Sequence, residues 1–221
     1  MTSPDLPLSA ADDAHPARKA SISRDDLLAA ALALIGPHRS VSTLSLREVA
    51  REAGIAPNSF YRQFRDMDEL TVALIDLAGR SLRTIIGEAR QRAASSERSV
   101  IRLSVETFFE QLRADHKLLQ VLLREGSAGS DAFKQAVDRE LGYFEDELRV
   151  DLIRLAAADG GAVLHEPALA SKAITRLVFA MGATAVDQPQ EKDAELIEQL
   201  SQMLRMIITG ARTIAGNPPT R

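Results

Sequence analysis

The chain has 221 residues, of which 45% are hydrophobic, 26% charged and 4% aromatic, with a net charge of −4 and neither Cys nor Trp. That length buries a real core in one or two domains, the Ala-, Leu- and Arg-rich mix favours helix over sheet, and the missing thiols exclude disulfide scaffolds, thiolate metal sites and cysteine nucleophiles. No apolar stretch is long enough to span a membrane and no basic-then-apolar leader opens the chain, so a cytoplasmic location without membrane contact is expected.

Residues 1–17 are rich in Pro, Ser, Ala and Asp without a sustained period, and a disordered tail is expected there, as at 216–221. The first helix starts near Ser23, where Asp26 three residues on completes a capping-box pattern, and Gly36-Pro37 stops it. Ser45 with Glu48 repeats the box for a second helix, which buries Leu46, Val49, Ala50 and Ala53 and ends at Gly54. A third begins with Pro57, suited to a first helical turn, and runs through Phe64. A long helix at 67–94 carries Leu70, Leu74, Leu77, Ala78, Leu82, Ile85, Ile86 and Ala89 on one face. At that length it spans roughly 40 Å. Further helices are expected near 97–114, 116–125, 130–158, 166–186 and 191–215, with breaks at Gly126-Ser127-Ala128-Gly129, Gly160-Gly161 and Gln188-Pro189. The fold class is all-α, in two domains: 18–66 and 67–215.

Charge is unevenly placed. Segment 18–65 holds eight Lys/Arg and four Asp/Glu, so a net +4 sits on an otherwise acidic body. That asymmetry suits a nucleic-acid reader. The run 45–64 reads as helix, Gly turn and short helix. Ala50, Ala53 and Gly54 let the two helices cross closely, and Leu46, Val49, Ile55 and Phe60 fill the wedge between them. The second then exposes Asn58, Ser59, Tyr61, Arg62 and Gln63. Amides and guanidiniums read base edges and hydroxyls suit phosphates, while a short polar helix fits a major groove. A plain helical hairpin with a polar outer face fits the same pattern.

This segment resembles the DNA-binding domain of the TetR family of transcriptional regulators. Tyr61 and Phe64 match its Tyr-x-x-Phe, and Asp68, Glu69 and Leu70 match the start of its fourth helix. The resemblance implies an N-terminal three-helix helix-turn-helix domain, a C-terminal helical ligand-binding and dimerisation domain, and a homodimer on a palindromic double-stranded operator. It implies phosphate contacts for Ser45 and Tyr61, and groove contacts for Pro57, Asn58, Ser59, Arg62 and Gln63. Arg47 joins the DNA-binding candidates, and Arg18 and Lys19 precede the first helix within reach of the backbone or minor groove. Two positions depart from the pattern: Gln63 where His is common, and Met67 where Lys is common. Arg65 is the candidate substitute for that Lys.

Within the family the chain resembles the FabR/DesT type of fatty-acid-responsive repressors, and DesT most of all. This similarity is densest in 44–70, 122–137 and 204–207. It implies a repressor of unsaturated fatty acid synthesis or desaturation genes that responds to the saturation of long-chain acyl-CoA. Phe108, Phe109, Phe133, Tyr143, Phe144 and Phe179 are then candidates to line an acyl tunnel. Arg124, with Arg102, Arg139 and Arg176, is a candidate for the coenzyme A phosphates, since guanidinium matches phosphate geometry. At helical spacings such aromatics are more often plain core, and each of these arginines more often forms a surface ion pair with a nearby Glu or Asp.

Residues 177–186 are apolar nearly all round, with Gly182, Ala183 and Ala185 allowing close approach. Leu196, Leu200, Met203, Leu204, Ile207, Ala211 and Ile214 form a stripe on the last helix. Leu177, Met181, Ala185, Leu200, Met203, Leu204, Ile207 and Ala211 are therefore candidates for a four-helix dimer interface, with intrachain core as the alternative. His15, His38, His116 and His165 stand at no metal-ligand spacing, and no nucleophile elbow or phosphate-cradling loop occurs. No metal, cofactor or enzymatic activity is expected. A TetR-type regulator of efflux or catabolism with another small apolar ligand, and a helical acyl-binding carrier, are the rival readings.

Overall fold

The computed structural model describes residues 22–36, 39–93, 97–114, 117–158 and 163–216. Arg18, Lys19, the tail at 1–17, residues 217–221, the Gly160-Gly161 break and His15, His38 and His116 lie outside them. The described residues form nine α-helices: α1 (Arg24–Leu34), α2 (Leu46–Glu52), α3 (Pro57–Phe60), α4 (Met67–Arg92), α5 (Glu97–Arg113), α6 (Leu118–Ala128), α7 (Asp131–Ala158), α8 (Pro167–Ala185) and α9 (Asp193–Gly216). Single 3-10 turns stand at Val41–Thr43 and Gln190–Lys192. Among the described residues there is no strand, only an isolated bridge between Gly36 and Arg39. No described helix is long and apolar enough to cross a membrane.

Both expected capping boxes form. The Ser23 hydroxyl accepts from the Asp26 N–H and the Asp26 carboxylate accepts from the Ser23 N–H; Ser45 and Glu48 repeat the exchange at α2. Each box satisfies donors that a helix start leaves orphaned. After α2, Gly54 takes φ +69°, where a Cβ would be strained.

Three boundaries differ from expectation. The short helix ends at Phe60 rather than Phe64, because Arg62 and Gln63 bond back three residues, to Ser59 and Phe60. The chain must then reach the extended backbone of Asp66, whose carboxylate caps α4. α6 runs through Gly126 to Ala128 and stops at Gly129. A Cβ at Gly129 would stand 2.6 Å from the Glu125 carbonyl and 2.9 Å from the Phe133 ring, so this corner admits only glycine without rearrangement. Gly216 closes α9 instead of opening a tail.

One buried cluster runs through the whole molecule, from Leu27, Val49, Phe60 and Phe64 to Phe108, Leu122, Leu200 and Ile208. α4 carries it across. Its 26 residues extend about 39 Å, packing on α1 at one end and on α5, α6 and α7 further along. α6 adds polar ties between the two ends. Lys117 Nζ donates to the Ala33 carbonyl (2.9 Å), Arg124 donates to the Gly36 carbonyl (3.2 Å), and the Val41 N–H donates to Glu125 Oε1 (2.9 Å). α1 has no basic residue in its own last turn, so Lys117, at the N-cap of α6, supplies the cation that its carbonyl end favours.

Candidate nucleic-acid interface and internal cavity

α2 and α3 are held by Val49, Ala50 and Phe60, all fully buried, while their outer residues face solvent. Ser45, Arg47, Pro57, Asn58, Tyr61, Arg62 and Arg65 are exposed, and Ser59 is half-buried. Tyr61 is 60% exposed, and its ring meets Phe60 edge-on at 6.0 Å. The side chains of Arg47 and Arg62 make no hydrogen bond or ion pair with other described residues, which leaves both guanidiniums uncommitted. Arg65 is held differently. Its Nε lies 3.2 Å from Glu69 and its backbone N–H donates to the same carboxylate at 2.9 Å, yet the side chain stays 85% exposed.

Two candidates are engaged inside the chain. Gln63 is half-buried, and its Nε2 donates to the Ile22 carbonyl at 2.9 Å, so its amide fastens the start of α1 instead of facing a groove. Arg24 completes that knot: it donates to the Gln63 carbonyl at 2.9 Å, pairs with Glu69 at 3.2 Å and lies 4.0 Å over the Phe64 ring. The Ser45 hydroxyl donates to Glu48 at 2.8 Å, so a phosphate contact from it requires exchange of that bond. Glu48 also pairs with Arg39 at 2.6 Å. The Ser45 hydroxyl, the Arg39 guanidinium and the Ser45 N–H hold its carboxyl down at about 2. Glu69 is likewise lowered, first by the Arg65 N–H and then by Arg24.

The body encloses an apolar cavity of about 800 Å³, its open mouth included, between α4, α5, α7, α8 and α9. Phe108, Phe144 and Phe179, three of the six aromatic candidates, line it. Phe179 meets Phe108 at 5.7 Å and Phe144 at 5.3 Å, both near edge-to-face. Phe109 and Phe133 are buried elsewhere in the core, away from this wall. Tyr143 is 47% exposed beneath the Arg83 guanidinium. Arg124 serves the Gly36 carbonyl at the join to the N-terminal helices, away from the cavity.

The other arginine candidates are paired: Arg102 with Glu106 and Glu198, Arg139 with Asp76, and Arg176 with Asp138 and Glu145. The Arg102–Glu106 pair stands one turn apart on α5, at a spacing visible in the sequence, whereas the other carboxylates lie on other helices, where spacing within one helix does not reveal them. The polar groups that do reach the cavity wall are Arg90, Asp151, Ser104 and Thr175, none of them singled out from the sequence. A buried Arg90 on an otherwise apolar helix face was the available signal.

The expected dimer residues divide. Ala185, Leu200, Leu204 and Ala211 are buried in the chain's own core, so they do not form an outer face. Leu177, Met181 and Ile207 are half-buried. Met203 is 40% exposed, and beside it on α9 stand Met206 at 74% and Ile214 at 40%. On α8, Leu169 is 64% exposed. The outward apolar stripe is thus rotated from the expected one, because the 200–204–208–211 row faces α5 and α8. Among the described residues no group of His, Asp or Glu could hold a metal ion.

Comparison with known proteins places this architecture. Residues 27–74 match the family model of bacterial regulatory proteins, tetR family. The fold is shared with Escherichia coli NemR in its reduced form (TM-score 0.66, 19% identity, over 83% of this chain and 95% of that one). It is shared with the fatty acid degradation regulator FadR from Bacillus halodurans (TM-score 0.63, 19% identity, 85% and 96%). It is shared also with AibR in complex with isovaleryl coenzyme A and operator DNA (TM-score 0.61, 14% identity, 82% and 97%). The capped α2, the Gly54 turn and α3 lie inside the matched segment, so this part of the chain is similar to the N-terminal domain of the tetR family of bacterial regulatory proteins, and the chain as a whole shares the fold of the three solved structures.

Proposed function

We propose that the chain is a homodimeric, effector-controlled repressor that reads a palindromic operator with α3 and answers to long-chain acyl-CoA. The carrying observation is the exposed set Asn58, Tyr61 and Arg62 on a helix whose inner face, Phe60, is fully buried. Arg62 and Asn58 suit base edges and Tyr61 suits a phosphate. Arg47 and Arg65 add exposed cations beside them. The second copy docks on the stripe of Met203, Met206, Ile214 and Leu169, which would otherwise leave large apolar side chains in water.

The effector occupies the cavity. Its aliphatic and aromatic lining, with few polar groups, suits an acyl chain. A fatty acid degradation regulator and a complex with isovaleryl coenzyme A have the same fold, which supports an acyl effector here. A route to the DNA-reading end runs through α6. At Gly182 a Cβ would stand 2.6 Å from the cavity-lining Phe108 and 3.5 Å from Leu123, whose neighbours Arg124 and Glu125 hold Gly36 and Val41. An effector acts only through its different affinity for the two arrangements of that join. Saturated and cis-unsaturated chains fill one cavity differently, so they compete and move operator affinity in opposite directions. The target is control of unsaturated fatty acid synthesis or desaturation. The test is fluorescence anisotropy of operator DNA with palmitoyl- and oleoyl-coenzyme A, free coenzyme A serving as control. Opposite shifts support the reading; no shift with either thioester removes acyl-CoA control and leaves the DNA-binding regulator.

A further inference from the structure

The cavity wall carries charge, but that charge is spent. Arg90 is 8% exposed, and its Nε lies 2.6 Å from Asp151. The other Asp151 oxygen accepts from Arg154 at 2.7 Å, and Glu147 stands 3.9 Å from Arg90. A carboxylate entering the cavity therefore finds no open cation. It meets the Asp151 carboxylate instead, and desolvation of an unpaired anion is costly. The rest of the wall is aliphatic or aromatic apart from two hydroxyls. Ser104 donates its proton to the Val100 carbonyl at 2.7 Å. Thr175 is 5% exposed and lines the cavity, and its hydroxyl makes no hydrogen bond with any described residue. A hydroxyl on the wall of an apolar cavity with no protein partner is free to donate to an acceptor placed there.

We infer that the cavity selects an aliphatic chain bearing one uncharged acceptor, an ester or thioester carbonyl bonded by the Thr175 hydroxyl, and rejects the corresponding free carboxylate through the Arg90–Asp151 pair. The inference rests on the reading of the cavity as the effector site. It adds the head-group chemistry and the residues that read it. Thr175 is the positioning donor. Asp151 is the specificity residue, because it neutralises the one guanidinium that a fatty acid anion would seek. The coenzyme part of a thioester is not required for this selection, so a simple alkyl ester is sufficient to show it.

The test uses the full chain and three matched probes: decanoyl-coenzyme A, methyl decanoate and decanoate, with coenzyme A alone as control. Isothermal titration of the wild type is expected to show binding of both esters and decanoate weaker by about tenfold or more, the cost of an unpaired buried charge. Thr175→Val keeps the side-chain shape and removes the donor. It is expected to weaken both esters about fivefold, with helicity, melting temperature and operator binding without effector unchanged. Asp151→Asn is expected to narrow the gap between decanoate and the esters by freeing Arg90. If that variant does not fold, the wild-type series and Thr175→Val still decide. Decanoate binding as tightly as methyl decanoate, or Thr175→Val leaving ester affinity unchanged, overturns the selectivity while an acyl effector survives. Failure of all three probes to bind overturns the selectivity and the acyl effector together.

Discussion

Ser45 and Glu48 support the reading element from three residues apart. Ser45→Ala removes the hydroxyl that meets the Glu48 N–H and carboxylate, a loss of about 1 kcal/mol for an N-cap. Glu48 adds a pH signature. Its carboxyl is lowered from the ordinary glutamate value to about 2 in the folded chain. A depressed acid contributes stability above its unfolded value and loses it as pH falls through the folded one. Wild type is therefore expected to melt higher than Glu48→Gln at neutral pH. That difference should shrink progressively as pH is lowered from about 4.5 towards 2, the two values that bracket the shift. Melting followed by circular dichroism checks it; a constant difference across that range contradicts it. The box was legible because both partners lie within one turn. The Gln63 bond was not legible for the opposite reason: its acceptor, the Ile22 carbonyl, is 41 residues away, and no local spacing marks such a bond. Arg24, which ties α1 to Gln63 and Glu69, was missed on the same grounds.

Among the elements, α8 and α9 show what periodicity reveals and where it stops. A period of 3.6 identifies stripes but does not label which stripe meets the chain's own core. Leu204 belongs inward at 5% exposure and Met206 outward at 74%. Met206→Asp is therefore expected to lower the mass seen by light scattering towards a monomer at unchanged helicity. Leu204→Ala is expected instead to lower stability by about 2–5 kcal/mol, as core truncations do. Equal effects on mass from both would contradict the assignment of faces. Gly182 makes a second test within α8. A Cβ there would stand 2.6 Å from the Phe108 ring, so Gly182→Ala forces that ring to shift at the cavity wall. The variant is expected to keep its dimer mass and lose affinity for decanoyl-coenzyme A in titration. Unchanged affinity would mean that Phe108 does not bound the occupied space. Of the aromatic candidates, Phe108, Phe144 and Phe179 reach the cavity, whereas helical spacing alone could not separate them from Phe109 and Phe133.

The whole molecule joins a basic N-terminal segment to an acidic body, and the excess of eight Lys/Arg over four Asp/Glu in 18–65 was plain in the sequence. The join itself was not, because Lys117, Arg124 and Glu125 bond backbone groups 84–88 residues away. If that join transmits the effector's presence, Lys117→Ala should bind operator nearly as wild type yet show a smaller anisotropy change with oleoyl-coenzyme A; an undiminished change would move the route elsewhere. Two copies related by a twofold axis should read half-sites about 34–36 Å apart, or a multiple of that, with affinity falling steeply as salt rises. The most direct measurement is enrichment and sequencing of genomic fragments bound by the wild type beside Tyr61→Ala and Arg62→Ala. The account expects an inverted repeat enriched by the wild type and lost from both variants at unchanged helicity and mass. No enriched sequence with the wild type, or the same repeat recovered by both variants, would contradict it.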